Sequence, residues 1–176
     1  MLKDLKMNLP FIGAIIERGD KENKEVLIQT RSNIRGPQEY NGTYEFCAGI
    51  MDIPFENVFD TVKREIFEET GLKLKEIKDL NKTKTFKSKN GDLSFGFRPF
   101  CCTQMIKGGC PWIGFIFICE VEEGELKAQE DENKDLHWVS VKEFKNIFDN
   151  NPEKIFPLEI PAWEYYFEGD PNFCRK

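Results

Sequence analysis

The apolar positions of this chain fall into runs of two kinds, one suited to strands and one to helices. Residues 11–17 form a nearly unbroken apolar run and predict a buried strand. Gly19-Asp20 and the charged residues 21–24 turn the chain, and residues 25–29 predict the next strand. Residues 112–121 are rich in β-branched and aromatic side chains, as expected of a central strand covered on both faces. Residues 83–88 and 93–97 flank Asn90-Gly91, a dipeptide favoured in type I′ turns, and predict a hairpin whose lysines suit an exposed edge. A further short strand is expected over 136–139, with His137 structural within it.

The helical period is clearest around residues 56–72. Phe55, Val58, Phe59, Val62 and Ile66 recur at spacings of three and four and predict one buried stripe. Gly71 stands where a C′ residue belongs, so this helix should end at about Thr70. Ser140-Val141-Lys142-Glu143 is a capping box that opens a second helix, running to about residue 148. Residues 73–80 read as an amphipathic connector, and 98–111 show no clear period. A sheet must be covered on both faces, so the expected class is α/β, a mixed β-sheet sandwiched between helices. The Trp- and Tyr-rich tail, 157–167, packs on this body or on a second subunit, the latter giving a homodimer.

Composition narrows the class. A chain of 176 residues predicts one domain, 1–176, with a real core. The net charge of −6 and pI near 5.1 argue against non-specific binding to nucleic acid or to an anionic membrane. No apolar run approaches the roughly 18 residues of a membrane span, and the first six residues lack a signal-peptide core. A cytoplasmic location is the expectation, and the six cysteines are expected to be reduced and structural.

The candidate chemistry lies at the end of the first helix. Glu65, Glu68 and Glu69 occupy its last two turns at i, i+3 and i+4. Like charges so spaced repel by about 0.2–0.5 kcal/mol per pair. Carboxylates at a helix C-terminus also oppose the macrodipole, at about 0.3–1 kcal/mol each. On a wheel of about 100° per residue, Glu65 and Glu69 fall at the edge of the apolar stripe and should be half-buried. Bunched, partly desolvated carboxylates call for a counter-charge, and hard oxygen ligands suit Mg²⁺ or Mn²⁺. From the residues alone, an ordinary solvated glutamate-rich face is the competing reading.

Arg64-Glu65-Ile66-x-Glu68-Glu69-x-Gly71-Leu72, with Glu56 eight residues before Arg64, resembles the Nudix box, G-x5-E-x7-R-E-U-x-E-E-x-G-U, where U is aliphatic. Every defined position from Glu56 to Leu72 matches. Upstream, residues 42–49 are similar to the family's G-x-W-E-F-P-G-G approach, with Tyr44 for the tryptophan and Cys47 for the proline. The box glycine is displaced: Ile50 holds its place and Gly49 comes one residue early, so the loop 50–55 carries one extra residue. Phe55 stands where many members have a second glycine.

The resemblance implies the Nudix (MutT-like) fold and a divalent-metal-dependent pyrophosphatase that splits a nucleoside diphosphate derivative, of nucleoside triphosphate or ADP-ribose type. It assigns Glu65 and Glu69 as principal metal ligands, with Glu68 assisting and the carbonyl of Ala48 or Gly49 joining them. Arg64 would orient the carboxylates, and Glu56 would support the loop and helix start. The base would be Glu65 or a glutamate of the acidic loop 122–134, Glu132 first and Glu130 second. Arg31, Arg35 and Tyr44 would face the substrate, and Phe97, Phe100, Met105 and Trp112 either line a base pocket or form core. Two other readings remain at this point: a catalytically impaired nucleotide-binding or regulatory domain, and an isomerase of isopentenyl diphosphate type that would need a cysteine.

Overall fold

The computed structural model describes residues 7–32, 38–78, 83–129 and 132–169. Arg35 and Glu130 therefore lie outside the described residues. The two long apolar runs become the centre of the fold. β1 (Leu9–Arg18) lies parallel to β9 (Trp112–Val121), with Leu9 opposite Trp112 and Ile16 opposite Cys119. Both strands are covered on two faces. Phe11 and Ile15 of β1 enter one core cluster, and Ile12, Ala14 and Ile16 enter the other, following the two-residue period of a strand.

Around this pair an eight-stranded sheet runs in the order β10 (Asn133–Ser140), β2 (Glu25–Arg31), β1, β9, β5 (Leu74–Ile77). β2 and β4 (Cys47–Ile50) pair antiparallel with β1, and β3 (Tyr44–Glu45) pairs with β2. β5 and β8 (Cys101–Gln104) pair antiparallel with β9, and β10 closes the far side on β2. The expected connector at 73–80 is thus partly a strand. Leu74 and Ile77 are spaced like a helix face, but the edge of β9 supplies backbone partners that the sequence around them does not reveal.

One face of the sheet is covered by α1 (Val58–Thr70), the other by α2 (Val141–Asn150) and α3 (Ile160–Gly169). α2 opens with the Ser140 side chain accepting the Glu143 N–H, as the capping box requires. Trp163 of α3 is fully buried against Phe46 and Phe144, so the aromatic tail packs on its own chain. Among the described residues, no helix is long and apolar enough to cross a membrane.

β6 (Lys84–Lys87) and β7 (Leu93–Gly96) form the expected hairpin as a separate two-stranded sheet. Its turn is closed by the Gly91 N–H on the Ser88 carbonyl, at 3.1 Å. Asn90 keeps a negative φ, so the turn is not type I′. The hairpin leans on the body through Phe95 and Phe97, whose rings lie 5.4 and 6.2 Å from that of Phe59.

Candidate active site

α1 is delimited by its own caps. Asn57 accepts the Phe59 N–H on its side chain, and Gly71, at φ 74°, returns its N–H to the Phe67 carbonyl. The apolar stripe is Val58, Val62 and Ile66, with Phe59 half-buried. Phe55 does not belong to it. It precedes the cap at φ 64°, with its ring fully exposed, so the loop's extra residue is absorbed by a turn before the helix.

The stripe brings the carboxylates onto β4. Glu65 and Glu69 are more deeply placed than their edge position suggests, at 7% and 3% exposure. A Cβ at Gly49 would lie 1.8 Å from the Glu65 carboxyl carbon, so only glycine lets the strand pass there. Glu69 Oε2 accepts the Ala48 N–H and Gln29 Nε2, both at 3.1 Å. Arg64 binds Glu65 at 2.6 Å, Glu56 and Glu68 at 3.2 Å, and Asp52 at 3.5 Å. A guanidinium thus supplies part of the counter-charge that the bunched carboxylates call for.

These groups open onto a cleft of about 270 Å³. Gly49, Arg64, Glu65, Glu68, Glu132 and Arg31 line it, with Asp52 and Gln129. Trp112, Phe156, Phe11 and Ile50 form its apolar side. Arg31 is pinned by Glu45 at 2.8 Å and lies over the Phe156 ring at 4.7 Å. Two assigned residues are elsewhere. Glu69 lies beneath the cleft, and Tyr44 packs against the core, its carbonyl accepting the Phe156 N–H. Phe97 packs among Phe59, Phe115 and Phe117 in the α1-side core, leaving Trp112 as the expected aromatic that reaches the cleft. Phe156, Gln29 and Asp52 were not legible as site residues: each is brought in by strand pairing or by a turn, not by spacing within a motif. A larger depression of about 560 Å³, lined by Glu17, Arg18, Lys75 and Trp138 among others, shares no residue with this cleft.

Comparison with known proteins bears on the family and the fold. The NUDIX domain model matches residues 7–158. The chain belongs to the Nudix hydrolase family. It is 31% identical over 131 residues to the NAD-capped RNA hydrolase NudC of Actinobacillus succinogenes, a match covering 73% of this chain and 39% of that protein. The Nudix chain therefore spans about two-fifths of the length of the curated relatives it matches. The MutT NUDIX hydrolase of Burkholderia pseudomallei superposes with a TM-score of 0.62 at 21% identity, covering 91% of this chain and 98% of that one. The NUDIX domain of Shewanella oneidensis NrtR, solved with ADP ribose, gives 0.61 at 17% identity, covering 94% and 90%.

Nudix hydrolases generally use divalent metals, and the donor set here fits one. Among the described residues no three acidic, cysteine or histidine side chains stand ready-converged as a metal centre, because Arg64 draws Glu65 and Glu68 to itself. The charge balance is nevertheless short of a cation. Burial pushes the Glu65 carboxyl up to about 7 against the pull of Arg64, and the charges of Glu68 and Glu132 push the same way. Burial and the charge of Glu45 hold Glu69 well above the ordinary carboxylate range. Carboxylate oxygens beside a strand kept open by Gly49 suit a hard dication. Cysteine chemistry has no such support: Cys47 is buried, and its thiol is pushed far from ionisation.

Proposed function

We propose that this domain hydrolyses the pyrophosphate linkage of a nucleoside diphosphate derivative, by attack of water at phosphorus, with Mg²⁺ or Mn²⁺ as cofactor. The observation that carries the reading is the single cleft in which Glu65, Glu68 and Glu132 face an apolar wall of Trp112 and Phe156. Glu65, Glu69, Glu68 and the carbonyl at Ala48 or Gly49 would hold the cation. When bound, it would offset the charge of the diphosphate and make a water acidic enough to attack at neutral pH.

The chain's own residues supply the rest. Arg64 orients Glu65 and Glu68, while Glu56 accepts from both Thr61 and Arg64 and so fixes the start of α1 to its middle. Glu132 lines the same cleft, close enough for its charge to act on Glu65, and would serve as a base for the attacking water. Trp112 and Phe156, packed edge to face, offer an apolar wall to a base, and Arg31 lies over both rings. The curated relatives are named for a dinucleotide-capped substrate, and the structural neighbour NrtR binds ADP ribose. Both favour a substrate with two moieties on one diphosphate over a simple triphosphate.

The test is a panel of ADP-ribose, NADH and nucleoside triphosphates with Mg²⁺ or Mn²⁺, for wild type and Glu65→Gln. Release of AMP from a two-moiety diphosphate, lost in the variant, is the expected result. A second reading is a nucleotide-binding domain without turnover, favoured by the lengthened loop 50–55, whose Asp52 competes for Arg64. Tight binding of the same compounds with no product, alike in both proteins, would select it.

A further inference from the structure

The acidic loop that carries Glu132 is fastened to the C-terminal end of α1. Helix ends leave carbonyls without intrahelical partners, and here the loop takes two of them. The Lys127 N–H donates to the Thr70 carbonyl at 2.9 Å, and Asn133 Nδ2 donates to the Glu69 carbonyl at 3.3 Å. The other end of the same amide, Asn133 Oδ1, accepts the Gln129 N–H at 3.1 Å. The Gln129 carbonyl in turn accepts the N–H groups of Glu132 and Asn133, both at 2.9 Å. Glu132 is held from its far side by the Ser32 N–H on its carbonyl, also at 2.9 Å.

We propose that Asn133 is a positioning residue: its side-chain amide sets the register between Glu132 and the carboxylates of α1. The inference rests on the hydrolase reading above, because it gives Glu132 a place in the reaction. Asn133 is wholly buried, yet it is polar, and both ends of its amide are used. An apolar side chain there would leave the buried Glu69 carbonyl and the half-buried Gln129 N–H without these partners. One bond reaches Glu69, whose carboxylate accepts the Ala48 N–H of β4 next to Gly49. The other reaches the turn from which Glu132 enters the cleft. Asn133 therefore joins the two walls across which water and phosphorus must meet. Catalysis is steep in this distance, a displacement of about 1 Å costing on the order of 100-fold.

The experiment is a double-mutant cycle in the full chain, using Asn133→Ala, Glu132→Gln and both together, read as kcat and KM with the best substrate of the panel. Alongside it, Mn²⁺ affinity is measured by electron paramagnetic resonance. Asn133→Ala should lower kcat by roughly 10- to 100-fold with KM changed by less than about threefold. Mn²⁺ affinity should stay within about twofold, because Gln29 and the Ala48 N–H still hold Glu69. In the Glu132→Gln background, Asn133→Ala should cost little more. Losses that multiply, or a lowered thermal midpoint with unchanged kcat, would make Asn133 a stabilising residue only and overturn the inference. Should Asn133→Ala not fold, the isosteric Asn133→Asp enters the same cycle, since it keeps the acceptor for Gln129 and removes the donor to Glu69. If Glu132→Gln alone retains full kcat while Glu65→Gln loses it, this inference fails and the hydrolase reading stands. If wild type and Glu65→Gln alike bind the panel compounds and release no product, the hydrolase reading fails.

Discussion

Gln29, inside β2, donates from Nε2 to Glu69 Oε2, at the end of α1, at 3.1 Å. The same amide lies 3.5 Å from Glu45, which Arg31 holds at 2.8 Å. A buried polar chain thus runs from the aromatic wall of the cleft, through Arg31, Glu45 and Gln29, to the Glu69 carboxylate that also accepts the Ala48 N–H. Partly satisfied buried networks are costly. In this one Gln29 Nε2 and Arg31 Nη1 serve carboxylates, while Gln29 Oε1 and Arg31 Nε find no hydrogen-bond partner among the described residues.

Gln29→Leu should therefore destabilise the fold beyond what its small change in volume suggests. Removing a donor from a buried acceptor costs about 1–3 kcal/mol, more when the acceptor is charged. For a chain of this size that is roughly 2–4 °C of thermal midpoint per kcal/mol. Urea unfolding of the metal-free protein measures it. A midpoint equal to wild type would show that the Ala48 N–H alone satisfies Glu69.

Phe55 is a site where stability can be gained. It holds φ 64° with its ring in solvent, so Phe55→Gly removes no packing and relieves a left-handed backbone. The strain is about 1–2 kcal/mol for a residue with a Cβ, and glycine's extra freedom in the unfolded chain offsets part of it. A net gain of about 0.5–1 kcal/mol is expected. Phe55→Val, with its β-branch, should lose stability instead, and chemical denaturation of the two variants separates the outcomes.

These positions also show what the chain discloses before its structure is known. β1, β9 and α1 were legible because each buries a long stripe with an unbroken period. Spacing alone places Phe55 in that stripe, three residues before Val58, although Asn57 and Asp60 form a cap that stops the helix short of it. Leu74 and Ile77 gave no strand signal because β5 is specified by its partner β9. Glu65 and Glu68 of the cleft were legible because, with Arg64, they belong to one motif. Gln29 and Asn133 were not, since their bonds to Glu69 span 40 and 64 residues and no local pattern announces them.

Glu159 makes stability depend on pH. It is buried, accepts the Phe46 N–H at 2.9 Å, and is held well above the ordinary carboxylate range by burial and by the charge of Glu45. A carboxyl whose folded value is raised binds more protons in the folded than in the unfolded chain. Its contribution is greatest below the unfolded value near 4.5 and is lost as pH rises through the folded one. Glu159→Gln keeps an acceptor for Phe46 and cannot ionise. Denaturation midpoints between pH 5 and about 8 should therefore fall less steeply in the variant than in wild type. Parallel slopes would assign the pH dependence to other groups.

Glu65 should show opposite effects with and without metal. Its carboxyl is raised to about 7, so in metal-free protein at pH 8 the folded state carries a charge that its surroundings disfavour. Glu65→Gln removes that charge and should raise the metal-free thermal midpoint, as expected where a site is kept at the expense of stability. With Mg²⁺ the order should reverse. A ligand at about 100 times its dissociation constant stabilises the fold by roughly 2.7 kcal/mol, and the variant forfeits most of that by losing an anionic donor. Two melting curves for each protein, with and without Mg²⁺, decide the matter. A wild-type midpoint that ignores Mg²⁺ and Mn²⁺ alike would mean that Arg64 is the only counter-charge these glutamates use.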